Sequence, residues 1–73
     1  MIFVQAPPYT TFVLNFIKGE NTFQMVQRIK DTYKLEFRAG YILQDTSQNS
    51  TCDGNELTVD ERIYYLTTWI TAR

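Results

Sequence analysis

The sequence predicts a small α+β domain in which one helix packs across a mixed sheet of four or five strands. Short runs rich in β-branched and aromatic residues lie on both sides of a single helical segment. Within that segment, apolar residues recur at steps of three and four. A chain of 73 residues with 44% hydrophobic content can build one core but not two. We therefore expect residues 1–73 to form a single domain.

The N-terminal part predicts a β-hairpin. Residues Ile2 to Gln5 form a short apolar run rich in β-branched and aromatic residues, which is the composition of a strand. Pro7-Pro8 ends this run, because proline has no N–H to donate to a sheet. The residues from Thr11 to Ile17 follow the period of a strand, because large apolar residues occur at every second position and would share one face. The short connection between the two runs favours antiparallel pairing.

The middle of the chain predicts one helix. Asn21 is a favourable N-cap residue, and Gln24 follows three residues later, in the position that completes a capping box. The apolar residues that come next have helical spacing, which places them on one face. We expect this face to pack on the core through four residues: Phe23, Val26, Ile29 and Tyr33.

The second half predicts further strands. Leu35 and Phe37 follow the helix and are expected to fold back onto the core, and Tyr41 to Leu43 form a strand candidate. Residues 45–56 are polar and long for a connector in so small a domain, so part of them is expected to pair as a short edge strand. The stretch Tyr64 to Thr71 has the composition of a central strand.

Composition excludes several classes of function. Seven basic against eight acidic side chains leave no positive excess for neutralising phosphates, so direct nucleic-acid binding is not expected. The chain has no histidine, and Cys52 is its only cysteine. Histidine-based catalytic sites and multi-cysteine metal sites are therefore excluded, and we expect no enzyme activity and no cofactor. No apolar run is long enough to cross a membrane, and the N-terminus does not have a signal-peptide pattern. We expect a cytoplasmic protein.

The predicted order of elements is that of the β-grasp arrangement, and three motifs resemble ubiquitin. Ile2-Phe3-Val4 is similar to the opening strand of that family, and Asn21-Thr22-Phe23 followed by Val26 is similar to the start of its helix. Residues 53–58, Asp-Gly-Asn-Glu-Leu-Thr, resemble its Asp-Gly-x-x-Leu-Ser turn at nearly the same distance from the N-terminus. The resemblance covers nearly the whole chain and implies a ubiquitin-like β-grasp fold.

The resemblance also implies a role without catalysis. Ubiquitin is attached to targets through a C-terminal Arg-Gly-Gly, whereas the sequence as given stops at Arg73, which matches the arginine before those glycines. The chain as given is therefore not expected to be conjugated. Our first hypothesis is an N-terminal leader domain fused to a small-subunit ribosomal protein. The alternatives are a protein modifier whose Gly-Gly tail follows Arg73 and an adaptor domain that binds other proteins, and in each case we expect a monomer.

The resemblance further implies a binding surface made of a first-turn residue and three residues on the sheet. The first-turn position falls at Pro7 or Pro8, and the sheet positions best match Leu43, Thr67 and Trp69. This match assumes that Leu66 and Ile70 face inward, because a shift of one residue would bury Trp69 and Tyr65 instead. Trp69 is thus either an exposed anchor for a partner or a core residue, and the sequence leaves both open.

Overall fold

The computed structural model describes all 73 residues and contains one α-helix and seven short strands. The elements are β1 (Ile2–Gln5), β2 (Phe12–Leu14), α1 (Thr22–Tyr33), β3 (Leu35–Phe37), β4 (Ile42–Asp45), β5 (Ser50–Cys52), β6 (Ile63–Thr67) and β7 (Ile70–Ala72). Five strands form a mixed sheet in the order β2-β1-β6-β4-β5, in which β1 and β6 are parallel, and the other two form an antiparallel ribbon. The α+β class with a β-grasp-like arrangement is confirmed.

The core lies between α1 and one face of the five-stranded sheet. Along β1, β4 and β6, buried residues alternate with residues that are exposed or half-buried, as expected for a sheet with one face covered. Thirteen buried hydrophobic residues form one cluster: Ile2, Val4, Ala6, Phe12, Leu14, Met25, Val26, Ile29, Leu35, Leu43, Tyr64, Leu66 and Ile70.

The predicted hairpin is confirmed, but β2 is shorter than the alternating pattern suggested. It ends at Leu14, whereas the pattern runs to Ile17. The carbonyl oxygen of Asn15 accepts a hydrogen bond from Nη2 of Arg28 at 2.7 Å. The same guanidinium donates to both carboxylate oxygens of Glu20, at 3.0 and 2.9 Å. A side chain of α1 thus binds the backbone that follows β2.

The helix start is confirmed in atomic detail. The side chain of Asn21 accepts the backbone N–H of Gln24 at 2.7 Å, and the Gln24 side chain accepts the N–H of Asn21 at 3.1 Å. Both halves of the capping box are therefore made. At the other end the backbone of Lys34 adopts a left-handed conformation, with φ of 55°, and closes the helix.

The predicted core face of the helix is wrong at both of its ends. Val26 and Ile29 are buried together with Met25, but Phe23 is 52% exposed and Tyr33 is also exposed. The buried stripe begins at Thr22, and Phe23, being the next residue, points about 100° away around the helix. Tyr33 instead lies at the edge of the sheet, where its ring packs on Phe12 at a centroid distance of 4.7 Å.

The C-terminal stretch forms two strands where one was predicted. It splits into β6 and β7, and Thr68 and Trp69 lie between them. The strand β6 is central, between β1 and β4, whereas β7 leaves the sheet and pairs with β3. This ribbon buries Leu35 and half-buries Phe37, so their predicted return to the core is confirmed. The edge strand expected within residues 45–56 is β5.

The helix α1 has 12 residues, and the structure contains no helix with the length and apolar character that a membrane span requires.

Candidate protein interaction surface

The structure corrects one of the four predicted surface residues. Leu43 is 1% exposed and belongs to the core. It pairs directly with Leu66, and residues opposite each other in neighbouring strands project to the same face of a sheet. Because Leu66 faces inward, as assumed, Leu43 must face inward too. The apolar residue of β4 that is exposed instead is its neighbour Ile42.

Thr67 lies at the end of β6 on the side of the sheet away from the helix, opposite Ile42. We call this side the outer sheet face. Its larger residues include Val13, Phe3 and Ile63, which are cross-strand neighbours on β2, β1 and β6. None of the side chains that point to this face from the five strands carries a charge: Phe3, Gln5, Val13, Ile42, Gln44, Thr51, Ile63, Tyr65 and Thr67.

The uncharged surface follows from a feature of the sequence that the motif-based reasoning missed. No charged side chain occurs in residues 1–17 or in residues 63–72, although the chain has 15 charged side chains. These two segments are far apart in the chain, but β1 and β6 lie side by side in the sheet. A count of charge along the sequence would have found the segments, and only the topology shows that they share one surface.

The structure brings two of the predicted residues, Pro8 and Trp69, together. They line a shallow groove of about 170 Å³ with Tyr9, Thr68 and Ile70, and we call it the Trp69 groove. Trp69 is 67% exposed, more than any other large hydrophobic residue of the chain. Trp69 is therefore an exposed residue and not a core residue, and its role as an anchor for a partner stays a prediction.

Hydrogen bonds to backbone carbonyl oxygens hold the walls of the Trp69 groove. The hydroxyl of Tyr9 donates to the carbonyl oxygen of Ile70 at 2.9 Å, which ties the loop after β1 to the start of β7. The backbone N–H of Arg38 donates to the carbonyl oxygen of Trp69 at 2.9 Å, beyond the last pair of the β3–β7 ribbon. Both aromatic residues are therefore tied to neighbouring segments although their rings are exposed.

Cys52 lies in an environment that suppresses its reactivity. It is half-buried at the end of β5, and burial, together with the nearby carboxylates of Glu56, Asp45 and Asp53, raises the pKa of its thiol to about 11. A nucleophilic cysteine needs the opposite surroundings, with positive charge that favours the thiolate. Arg62 lines the same cavity as Cys52, but its guanidinium donates to Asp45 at 2.6 Å.

Glu56 organises the loop that precedes β6. One of its oxygens accepts the N–H of Asp53 at 2.8 Å, and the other accepts from the N–H of Gly54 at 3.1 Å and from the hydroxyl of Thr22 at 3.0 Å. The backbone N–H groups and this hydroxyl lower the pKa of the carboxyl to about 2. Glu56 therefore joins the turn to the start of α1. No cluster of three or more potential ligands is placed to hold a metal ion.

The four predicted residues thus fall in three places. Pro8 and Trp69 line the Trp69 groove, Thr67 lies on the outer sheet face, and Leu43 lies in the core. Comparison with family models, with curated proteins and with solved structures finds no match for this chain.

Proposed function

We propose that this chain is a non-catalytic, ubiquitin-like domain of the cytoplasm that acts by binding another protein through its outer sheet face. The observation that carries the proposal is the absence of charge on that face, where large apolar residues such as Ile42 and Ile63 are exposed. The cores of protein interfaces are depleted of charged residues in the same way. Because burying an unpaired charge is costly, the partner presents an uncharged surface of its own.

Two further features support this proposal. The motifs that resemble ubiquitin coincide with elements of the fold, since the capping box opens the helix and residues 53–58 form the turn bound by Glu56. The environment of Cys52 opposes nucleophilic chemistry, and no histidine is present to activate it.

Capture of partners on matched variants tests the proposal. Ile63→Glu places a negative charge on the outer sheet face, and Gln27→Glu places the same charge on the exposed side of α1. We expect proteins captured by the wild type and by Gln27→Glu to be lost with Ile63→Glu, once circular dichroism shows that both variants are folded. Equal capture by both variants would contradict an interface on this face.

A second candidate function makes the domain the N-terminal leader of a ribosomal protein. The observation that favours it is the packing of the C-terminal residues. The strand β7 pairs with β3, and Arg73 donates its backbone N–H to the carbonyl oxygen of Lys34 at 2.9 Å. Its guanidinium donates to the carbonyl oxygen of Lys30 at 2.6 Å. A conjugation tail must be free to enter an activating enzyme, and the residues up to Arg73 are not free.

The intact mass and C-terminal sequence of the endogenous protein test this second candidate. A leader predicts that the chain continues from Arg73 into a basic ribosomal-type domain. A modifier predicts Gly-Gly within a few residues of Arg73, and in that case an assay with activating enzyme and ATP is expected to form a thioester.

A further inference from the structure

We propose that the Trp69 groove binds an extended, proline-rich peptide segment that carries an acidic residue. This inference rests on the proposed role in protein binding, and it names the ligand of a surface other than the outer sheet face. It is drawn from the shape of the groove, from the way its aromatic residues are held, and from the distribution of charge around it.

The lining of the groove matches the chemistry of proline rings. Tyr9 and Trp69 are both exposed, and Pro8 and Ile70 complete an apolar surface between them. Proline-rich segments adopt an extended helix with three residues per turn and dock into grooves lined by aromatic side chains. Their backbone is already ordered before binding, so association costs them less conformational entropy than it costs a flexible segment.

The groove is also organised before binding. The hydrogen bond from the Tyr9 hydroxyl to Ile70 holds the first aromatic residue, and the bond from Arg38 N–H holds the backbone of Trp69. The hydroxyl of Thr68 donates to the carbonyl oxygen of Gly40 at 3.2 Å, which ties this residue to the loop before β4. These hydrogen bonds hold the backbone of the groove and the Tyr9 ring in place without a ligand.

The charges around the groove select the ligand. The segments that line it, residues 6–11 and 66–72, contain no charged side chain. Arg38 lies opposite Trp69 across the continuation of the β3–β7 ribbon, so both exposed side chains project to the same side. The only carboxylate on that side of β3 is Glu36, which is opposite Thr71 and one step farther from the groove. The charge directly opposite Trp69 is therefore positive, and although Arg38 does not line the groove itself, it can pair with an acidic residue of a segment that lies over the indole.

Fluorescence and NMR titration with synthetic peptides test the inference. The first probe is a capped polyproline peptide of about nine residues with one glutamate near its end, and the second has lysine in place of that glutamate. Trp69 is the only tryptophan, so its emission reports on the groove alone. We expect shift changes at Tyr9, Thr68 and Trp69, and a two- to fivefold preference for the glutamate peptide, about the value of one exposed ion pair.

Three variants complete the test. Trp69→Ala is expected to weaken binding at least about tenfold, as followed by NMR. Arg38→Gln is expected to remove the preference for glutamate by weakening binding of the glutamate peptide, without weakening binding of the lysine peptide. Phe23→Ala removes an exposed aromatic residue of the helix and is expected to have no effect.

Other outcomes would overturn the inference. Absence of shift changes up to about 1 mM peptide, or changes confined to the outer sheet face, would exclude the groove as a proline-binding site. Shift changes at the groove that depend on protein concentration alone would assign it to a second copy of the chain. In each of these cases, a loss of captured proteins with Ile63→Glu would still support binding through the outer sheet face. The two proposals can therefore be rejected independently of each other.

Discussion

Leu43 of β4 lies directly opposite Leu66 of β6, and both side chains are buried against the helix side of the sheet. This pair sets which residues of the two strands reach the solvent. Because side chains alternate along a strand, Ile42 and Thr67 must then face outward, where they are themselves opposite each other. The composition of the outer sheet face depends on this register.

The register predicts losses of stability of very different size for two adjacent aliphatic residues. Leu43→Ala is expected to lower the free energy of unfolding by roughly 2–5 kcal/mol, because it leaves a cavity in the core. Ile42→Ala removes an exposed side chain and is expected to cost less than about 0.5 kcal/mol. Urea unfolding followed by circular dichroism measures both. Similar losses for the two variants would mean that the register is wrong.

The buried stripe of the helix gives a second comparison. Ile29 is fully buried, and Ile29→Ala is expected to cost roughly 2–4 kcal/mol. Phe23→Ala is expected to cost about 1 kcal/mol or less, because half of the ring is already in water. The sequence pattern alone would assign both residues to the core. A loss above about 3 kcal/mol for Phe23→Ala would restore that assignment.

The exposure of Trp69 predicts its fluorescence. Its emission maximum is expected to lie close to that of tryptophan in water, with efficient quenching by acrylamide and iodide, since two-thirds of the side chain is exposed. The spectrum in urea serves as the reference for full exposure. A blue-shifted maximum, together with an indole that soluble quenchers do not reach, would place Trp69 in the core. The groove, which Trp69 lines, would then not exist as described.

The raised pKa of Cys52 predicts slow alkylation. With a pKa of about 11, the thiolate fraction at pH 8 is smaller than that of an ordinary thiol by a factor on the order of 100. Iodoacetamide is expected to react with the folded protein more slowly by that factor than with the protein in urea, as measured by mass spectrometry. Equal rates in the two states would contradict the burial of this thiol.

The hydrogen bonds to Glu56 predict a dependence of stability on pH. The folded protein lowers the pKa of this carboxyl from 4.5 to about 2, so its ionised form stabilises the fold. That contribution is complete above about pH 5 and is lost as the pH falls toward 2. We expect Glu56→Gln to be less stable than the wild type at pH 7, and the difference between the two urea midpoints to shrink below pH 4.5. A difference that is constant from pH 7 to pH 2 would exclude this role.

Local patterns were sufficient for much of the fold. The capping box depends on residues three positions apart, and the strand β1 depends on a run of four residues, so both are readable without a structure. The order of hairpin, helix and central strand followed from similar short patterns. The resemblance to ubiquitin, and not a local pattern, predicts Pro8 and Trp69 as candidate residues, and the structure brings them together in one groove.

Tertiary structure decided the features that depend on residues far apart in the chain. Helical spacing cannot distinguish Phe23 from Thr22 as the first buried residue, because the sheet determines which side of the helix is covered. Periodicity likewise could not show that the C-terminal stretch breaks at Trp69, since that break depends on the pairing of β7 with β3. Leu43 was assigned to the surface although Leu66 was assigned to the core, and only their pairing across the sheet reveals the conflict. A sequence records which side chains alternate, whereas strand pairing and helix docking decide which set faces the water.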